Sequence, residues 1–292
     1  MTLHPIIERI KCEVPDLLIN AWYLDDGTLC GPLDSLAAAL SIIESEGPPR
    51  GLILNRSKSL IVASPDSSVS HPLLSNIPVT YGGFTLLGSP LGPAAYCQEV
   101  ARVRINKVRD SLLRLGDLED SQMETALLRS CLALPKIAHL LRTCPSPLIQ
   151  EVLVEFDEAL RDAVSDLVGC PLSDWAWMKA SLPSSLGGLG IRPASLHASA
   201  AFISSFHQSE ALISDILGHP AKAPFHQPGV VSALATAADR PQWLSVDNID
   251  VSLHCRTLSR SIDLARFSLL LDAASNVRSR ALALSSFDPS CW

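Results

Sequence analysis

The sequence predicts an α+β fold, with a small mixed segment leading a long helical one. Up to Pro93, short apolar runs are separated by Gly, Pro, Asn and Asp, the pattern of strands joined by turns. Beyond Pro93 the apolar positions recur at helical spacing and continue so towards the end of the chain. With 292 residues, 47% hydrophobic and a mean hydropathy of +0.25, the chain can bury a sizeable core. A prior of about 150 residues per domain gives roughly two domains.

In chain order, Leu17-Leu18-Ile19-Asn20-Ala21-Trp22-Tyr23-Leu24 reads as a buried strand and 28–31 as its partner. The intervening Asp25-Asp26-Gly27 contains Asp-Gly, a strong hairpin signal that puts both carboxylates at a tip. Pro32-Leu33-Asp34-Ser35 starts a helix that runs through Glu44 and closes at Gly47-Pro48-Pro49. Further strands are expected at 59–63, around Val79-Thr80-Tyr81 and at Phe84-Thr85-Leu86-Leu87, all joining one sheet covered by helix. Ser64 to Pro72 is a loop. Helices are expected at 95–115, 119–142, 147–168, 173–181, 194–215, 228–238 and 261–284, with Pro135 kinking or dividing the second. Met123, Leu127, Leu128, Cys131 and Leu132 lie at core spacing in that second helix. The Gly-rich break Leu182 to Arg192 lacks the glycine spacing and the Lys-Ser/Thr of a phosphate loop, and reads as a connector.

Adjacent acids repel, and a divalent cation that prefers hard oxygen ligands, such as magnesium, makes them tolerable. An isolated Asp-Asp-Gly is more often a solvated hairpin turn in which Asp25 and Asp26 supply turn chemistry alone. Two further motifs change the weighing: Gly51-Leu52-Ile53-Leu54-Asn55-Arg56-Ser57-Lys58-Ser59, and Phe84-Thr85-Leu86-Leu87-Gly88-Ser89-Pro90-Leu91-Gly92. In order and spacing the three resemble consecutive motifs of reverse transcriptases, and Trp-Tyr-Leu-Asp-Asp-Gly resembles the non-LTR retrotransposon branch. The Tyr-x-Asp-Asp box is matched by Tyr23, Leu24, Asp25 and Asp26, the lysine motif by Lys58, and the primer grip by Leu86 to Gly92.

The resemblance implies a partial polymerase palm over 1–92, a helical thumb over 93–182 and a helical extension over 183–292. It implies nucleotidyl transfer with two magnesium ions, about 3.5–4 Å apart in such sites, clamping the attacking primer 3′-oxygen and the leaving pyrophosphate oxygen. Asp25 is then the better metal ligand, Asp26 the weaker, and Lys58 a proton donor or charge stabiliser. The simpler alternative for Lys58 is a solvated surface lysine. Tyr23 would pack beside the nucleotides, as would Leu87 and Gly88 of the grip beside the primer. RNA template, DNA primer and deoxynucleotides are the implied partners. Leu-Pro…Gly-Gly-Leu-Gly-Ile-Arg resembles a segment that follows the thumb in these proteins, with no chemistry attached to it.

A two-metal site needs a further carboxylate, which in the family lies upstream of the box. The residues before Asp25 include Glu8, Glu13 and Asp16, none in a motif of that kind. Met1 to Ile10 resembles the helix after the family's nucleotide-selection motif. The expectation is therefore a truncated polymerase, inactive alone and completed by another polymerase fragment. The end at Cys291-Trp292 suggests truncation there too.

A net charge of −7 argues against strong nucleic-acid binding by the chain as a whole. The exception is 101–115, where Ala101, Ile105, Val108, Leu112 and Leu115 form an apolar stripe. Arg102 and Arg109 flank it on one side, Lys107 and Arg114 on the other. In the resembled family this helix tracks the template-primer duplex, and the plainer alternative is a solvated basic helix. No apolar run reaches the ~20 residues of a membrane span and no leader pattern opens the chain, so an intracellular, nuclear or cytoplasmic protein is expected. The eight cysteines lack zinc spacing and suit free thiols, and the histidines show no i, i+4 ligand pair. The other reading of the chain is a retrotransposon-derived helical module that binds nucleic acid or protein without chemistry.

Overall fold

The computed structural model describes residues 3–218 and 254–286. Of these, 3–84 and 210–218 fall in one compact unit, and 85–209 and 254–286 in another. The helix expected at 228–238 lies outside the described residues.

In the first unit, helix α1 (His4–Glu13) is followed by the antiparallel hairpin β1 (Ile19–Tyr23) and β2 (Asp26–Cys30), then by α2 (Leu33–Glu46). Pro5 suits the first turn of α1, where its missing N–H is not needed. Ile6 and Ile10, one turn apart on α1, are buried with Val14, Ala39 and Ile42, and Trp22 and Leu29 of the hairpin pack against them. The opposite side of α2 buries Ala37 and Leu40 against Leu74 and Ile77. A helix covered on two sides has to be apolar over a wide arc. This accounts for the composition of α2, in which Ala, Leu and Ile dominate. Charged residues tie the helix ends together: Arg9 pairs with Glu13 at 2.7 Å and Glu46 at 2.6 Å, and Arg50 also reaches Glu46.

The expected single sheet is not what forms. Among the described residues β3 (Ile61–Val62) pairs only with β4 (Val79–Thr80), in parallel, while β1–β2 and β5 (Phe84–Leu86) with β6 (Ser89–Leu91) are separate two-stranded sheets. Each hairpin closes on itself through a two-residue turn and rests its inner face on helix. The two-residue segments β3 and β4 are too short to recruit either, since strands usually run about five residues.

The second unit is built on α3 (Ala94–Leu113) and α6 (Ser146–Val168). α3 buries Ala101, Ile105, Val108 and Leu112, and Leu115 follows them inside, which is the stripe read from the sequence; Cys97, one turn earlier, is buried with them. α6 answers with Ile149, Val152, Leu153, Phe156, Leu160 and Val164, each fully buried. Burial of one such side chain stabilises the fold by about 1.5–3 kcal/mol.

Pro135 divides the second expected helix as anticipated. α4 (Ser121–Leu127) passes through a π-helical turn at Leu128–Leu132 before α5 (Leu134–Thr143) restarts with the proline in its first turn. Of the five residues at core spacing there, Leu128 is buried and Leu127 and Leu132 pack against the core, whereas Met123 and Cys131 are exposed. α7 (Asp174–Ser181) and α8 (Ala194–Leu217) follow, close to the expected limits.

The expected helix 261–284 is two helices, α9 (Cys255–Asp272) and α10 (Val277–Ser285). Asn276 separates them, its side-chain oxygen accepting the Ser279 N–H at 2.8 Å as an N-cap. No described helix is long and apolar enough to cross a membrane.

The Gly-rich segment after α7 is a packing device. Leu182, Leu186 and Ile191 are fully buried. A Cβ on Gly188 would stand 2.0 Å from the Leu182 carbonyl oxygen, and one on Gly187 2.2 Å from Ser286 Oγ. The glycines let the backbone pass where no side chain fits.

Candidate functional site

The box residues are brought together on one hairpin. Tyr23 and Asp26 are the last cross-strand pair, so the loop consists of Leu24 and Asp25 alone. The carboxylates are at the tip as expected, but Asp26 and Gly27 belong to strand β2 and are not the turn. Leu24 carries the turn with φ +57°, a left-handed conformation that costs a non-glycine residue roughly 1–2 kcal/mol. Such outliers persist where the surroundings over-determine them, and they cluster at functional sites. Tyr23 and Leu24 are exposed, as are both aspartates.

Gly27 has a different purpose from the one its Asp-Gly setting suggests. It lies opposite Trp22, and a Cβ there would stand 2.7 Å from the indole. That indole is held by its Nε1–H, which donates to Asn20 Oδ1 at 2.7 Å, and it packs against α1 and α2. Gly27→Ala is expected to cost about 1–3 kcal/mol through overpacking. Thermal unfolding would register the loss, with a red-shifted tryptophan emission that a Trp22→Phe background lacks.

Lys58 sits on another loop of the same unit. Asn55 caps that loop, its carbonyl and side-chain oxygens accepting the Lys58 N–H at 3.2 and 3.1 Å. Arg56 anchors the loop to α2 through two hydrogen bonds to the Glu44 carboxylate, at 2.6 and 2.7 Å, and a third to the Leu73 carbonyl at 2.7 Å. This guanidinium holds the Glu44 carboxyl below its usual range. Lys58 is exposed and forms no ion pair with Asp25 or Asp26. Among the described residues, no three His, Cys, Asp or Glu side chains gather in a group that could hold a metal ion. Asp25 and Asp26 are hard oxygen donors, exposed and adjacent, and fit magnesium as part of a site.

The grip residues belong to the second unit. Leu87 and Gly88 form the turn of the β5–β6 hairpin with φ +46° and +81°, the signature of a type I′ turn, with leucine where Asn, Asp or Gly is usual. Hydrogen bonds to two helices hold it. Arg104 of α3 donates to the Gly88 carbonyl, Tyr96 Oη bonds Thr85 Oγ1 at 3.1 Å, and Ser89 Oγ donates to the Thr143 carbonyl of α5 at 3.3 Å. The His139 ring edge stands 3.7 Å from where a Cβ on Gly88 would be. Sequence reasoning passed over Arg104 and His139, although both are basic residues within reach of the grip once helices are folded.

Of the basic residues expected on nucleic acid, Arg102 is paired with Glu155 of α6 at 3.1 Å. Glu99 and Glu151 add to the negative field around it. Lys107 and Arg109 are exposed on α3.

A buried polar cluster, unexpected from the sequence, lies deeper in the same unit. The Asp157 carboxylate of α6 accepts hydrogen bonds from the Ala194 N–H at 2.5 Å, the Ser195 N–H at 3.0 Å and the Ser195 hydroxyl at 2.5 Å, capping the start of α8. Burial pushes its carboxyl up to about 6 despite those donors. Arg192 grips the carboxylate of Asp263 on α9, Nε to Oδ2 at 3.0 Å and Nη2 to Oδ2 at 2.7 Å. Burial also raises the Asp263 carboxyl, against the pull of Arg192. His197 is 3% exposed, its Nε2 is 3.6 Å from Asp263 Oδ1, and among the described residues neither ring nitrogen has a hydrogen-bond partner. Burial, with Arg192 and Arg266 nearby, lowers its imidazolium to about 3. The imidazole is neutral at neutral pH. The acids and the imidazole of this cluster are buried, with Arg192 reaching them from its half-buried edge; its one legible signal is an acid, Asp157, in phase with Leu153 and Leu160 on a buried stripe. No family model, curated protein or solved structure matches the chain.

Proposed function

We propose that this chain carries the catalytic-box part of an RNA-directed DNA polymerase of the non-LTR retrotransposon type, acting on a primer 3′-hydroxyl with deoxynucleotide substrates and an RNA template. The observation that carries this reading is the form of the Tyr-x-Asp-Asp box: a tight hairpin whose two acids are exposed at a tip bent through a left-handed leucine. Solvated turn chemistry alone gives no reason for leucine at that position, where glycine relieves the strain.

Asp25 and Asp26 would hold magnesium, which when bound supplies activation of the primer oxygen and stabilisation of the leaving pyrophosphate. Tyr23, exposed beside them, offers a ring face to a base or sugar. Lys58, exposed on its anchored loop, offers a cation to phosphate oxygens. A third oxygen donor would come from a complementing polymerase segment, and the chain by itself is silent.

Primer extension in Mg²⁺ tests this. Mixed with a polypeptide carrying the family's upstream acid motif, the chain is expected to incorporate deoxynucleotides, and Asp25→Ala to abolish that incorporation. Incorporation that survives Asp25→Ala, or none on complementation, overturns the proposal. The second reading, a non-catalytic module that binds nucleic acid or protein, draws on the second unit. That unit is a helical body with its own core, and among the described residues no third acid joins the pair. Binding without any incorporation on complementation is the outcome that favours it.

A further inference from the structure

We propose that Cys97 and Cys144, buried beneath the β5–β6 hairpin, form a redox-sensitive dithiol that peroxide closes to a disulfide when the hairpin lifts. This chemistry belongs to the second unit alone and stands whether or not the chain is part of a polymerase.

Of the described cysteines, Cys12, Cys30, Cys131, Cys170 and Cys255 are exposed, whereas Cys97 and Cys144 are buried. The fold brings these two together from distant parts of the chain. Cys97 lies in the first turn of α3 with its Sγ towards β6, 3.9 Å from the Pro90 carbonyl oxygen and 3.6 Å from that of Gly92. Cys144 ends α5, where its N–H donates to the Leu140 carbonyl at 2.9 Å. The Ser89 hydroxyl, next to Pro90, donates to the Thr143 carbonyl, next to Cys144, at 3.3 Å. One short strand therefore spans both cysteines, and the Cys144 thiol hydrogen-bonds to the Cys97 sulfur. A buried cysteine ordinarily packs as a small hydrophobe. Two of them in side-chain contact, under a hairpin, have a chemistry that packing does not call for.

Burial raises both thiols, that of Cys144 to about 12, and the covered pair is inert. Its cover is a two-stranded hairpin, an element of marginal stability by itself, held by Thr85 to Tyr96, Ser89 to Thr143 and Arg104 to Gly88. When the hairpin lifts, Cys97 ionises first, because the Cys144 thiol donates to its sulfur. The Cys97 thiolate attacks one peroxide oxygen; the O–O bond breaks, an S–O bond forms, and the departing hydroxide takes the Cys97 proton and leaves as water. The Cys144 sulfur then attacks the Cys97 sulfur; the S–S bond forms, the S–O bond breaks, and a second water carries off the Cys144 proton. Two electrons pass from the sulfur pair to peroxide. The disulfide closes a loop that holds α4, α5 and most of α3, which restricts the unfolded chain. A thiol reductant reverses it by exchange.

The test treats the full, folded chain with hydrogen peroxide, alkylates the remaining thiols and maps a non-reducing digest by mass spectrometry. A peptide pair joined through Cys97 and Cys144, and separated again by dithiothreitol, is expected. The thermal midpoint of the linked protein should rise by roughly 5–10 °C. Cys97→Ala and Cys144→Ala should each lose that rise, while Cys131→Ser, at an exposed thiol, keeps it. The linkage itself is read in the wild-type chain, so the test stands even where an alanine variant fails to fold. Tyr96→Phe, which gives up the bond to Thr85, should speed the linkage by roughly two- to tenfold. No linkage in peroxide, linkage of either cysteine to an exposed one, or linkage without a rise in midpoint overturns the dithiol. A rate unmoved by Tyr96→Phe overturns the hairpin as its cover.

Discussion

Arg192→Ala is expected to destabilise the second unit by about 3–5 kcal/mol, as an earlier loss of helical circular dichroism in a urea titration. The reason is what remains behind. Asp263 is 3% exposed, and its carboxylate is sustained there by the two-pronged guanidinium of Arg192. Removing one partner of a buried pair leaves a charge without compensation, which costs far more than the pair contributes when intact. The lower end of the range is expected, because the Arg192 side chain is itself 36% exposed and Arg266 adds a second positive field at Asp263. Asp263→Asn in the same background should recover part of the loss, since a neutral amide no longer has to bury a charge. A variant as stable as wild type would show that the cluster does not hold α9 to the connector.

Asp157→Ala is expected to cost about 3 kcal/mol, measured in the same titration. Three donors at the start of α8 would lose their acceptor in a buried place, and each orphaned donor costs roughly 1–3 kcal/mol, partly offset by relief of the buried charge. The pH dependence separates this effect from a simple cavity. The folded Asp157 carboxyl titrates at about 6, above its ordinary 3.8, so its contribution to stability is fully present below about 3.8 and is lost as pH rises through 6. His197 acts in the opposite direction. Its folded value of about 3 lies below the ordinary 6.5, so its contribution is complete above 6.5 and is lost as pH falls towards 3.

Between about pH 4 and 6 the fall that belongs to Asp157 and the rise that belongs to His197 largely cancel, so removing either group uncovers the other's slope. In Asp157→Asn the loss of stability between pH 4 and pH 7 that belongs to Asp157, about 3 kcal/mol in wild type, should vanish. His197→Gln should in turn weaken acid unfolding. A wild-type pH profile in Asp157→Asn would remove Asp157 from the account.

The helices were legible from the sequence wherever one face is buried. The α3 stripe from Ala101 to Leu112 and the break at Pro135 needed only periodicity and the geometry of proline. The hairpin carrying the acids was legible too, but its turn was not. Asp26-Gly27 has the composition of a turn, yet Gly27 is a seat for the Trp22 indole, and the chain bends at Leu24-Asp25. The sheet was over-read because short apolar runs do not reveal their partners, and here helices cover them in place of further strands.

By itself the sequence determined the coarse class, the helical periods and the place of the acids at a tip, because these depend on neighbours within a few residues. Tertiary structure alone decided which charges are spent and which are free. Arg192 meets Asp263 across 71 residues, Asp157 meets Ser195 across 38, and Arg102 meets Glu155 across 53. No local pattern encodes such pairings. They arise when folding removes water from charged groups and each must find a partner within hydrogen-bond reach.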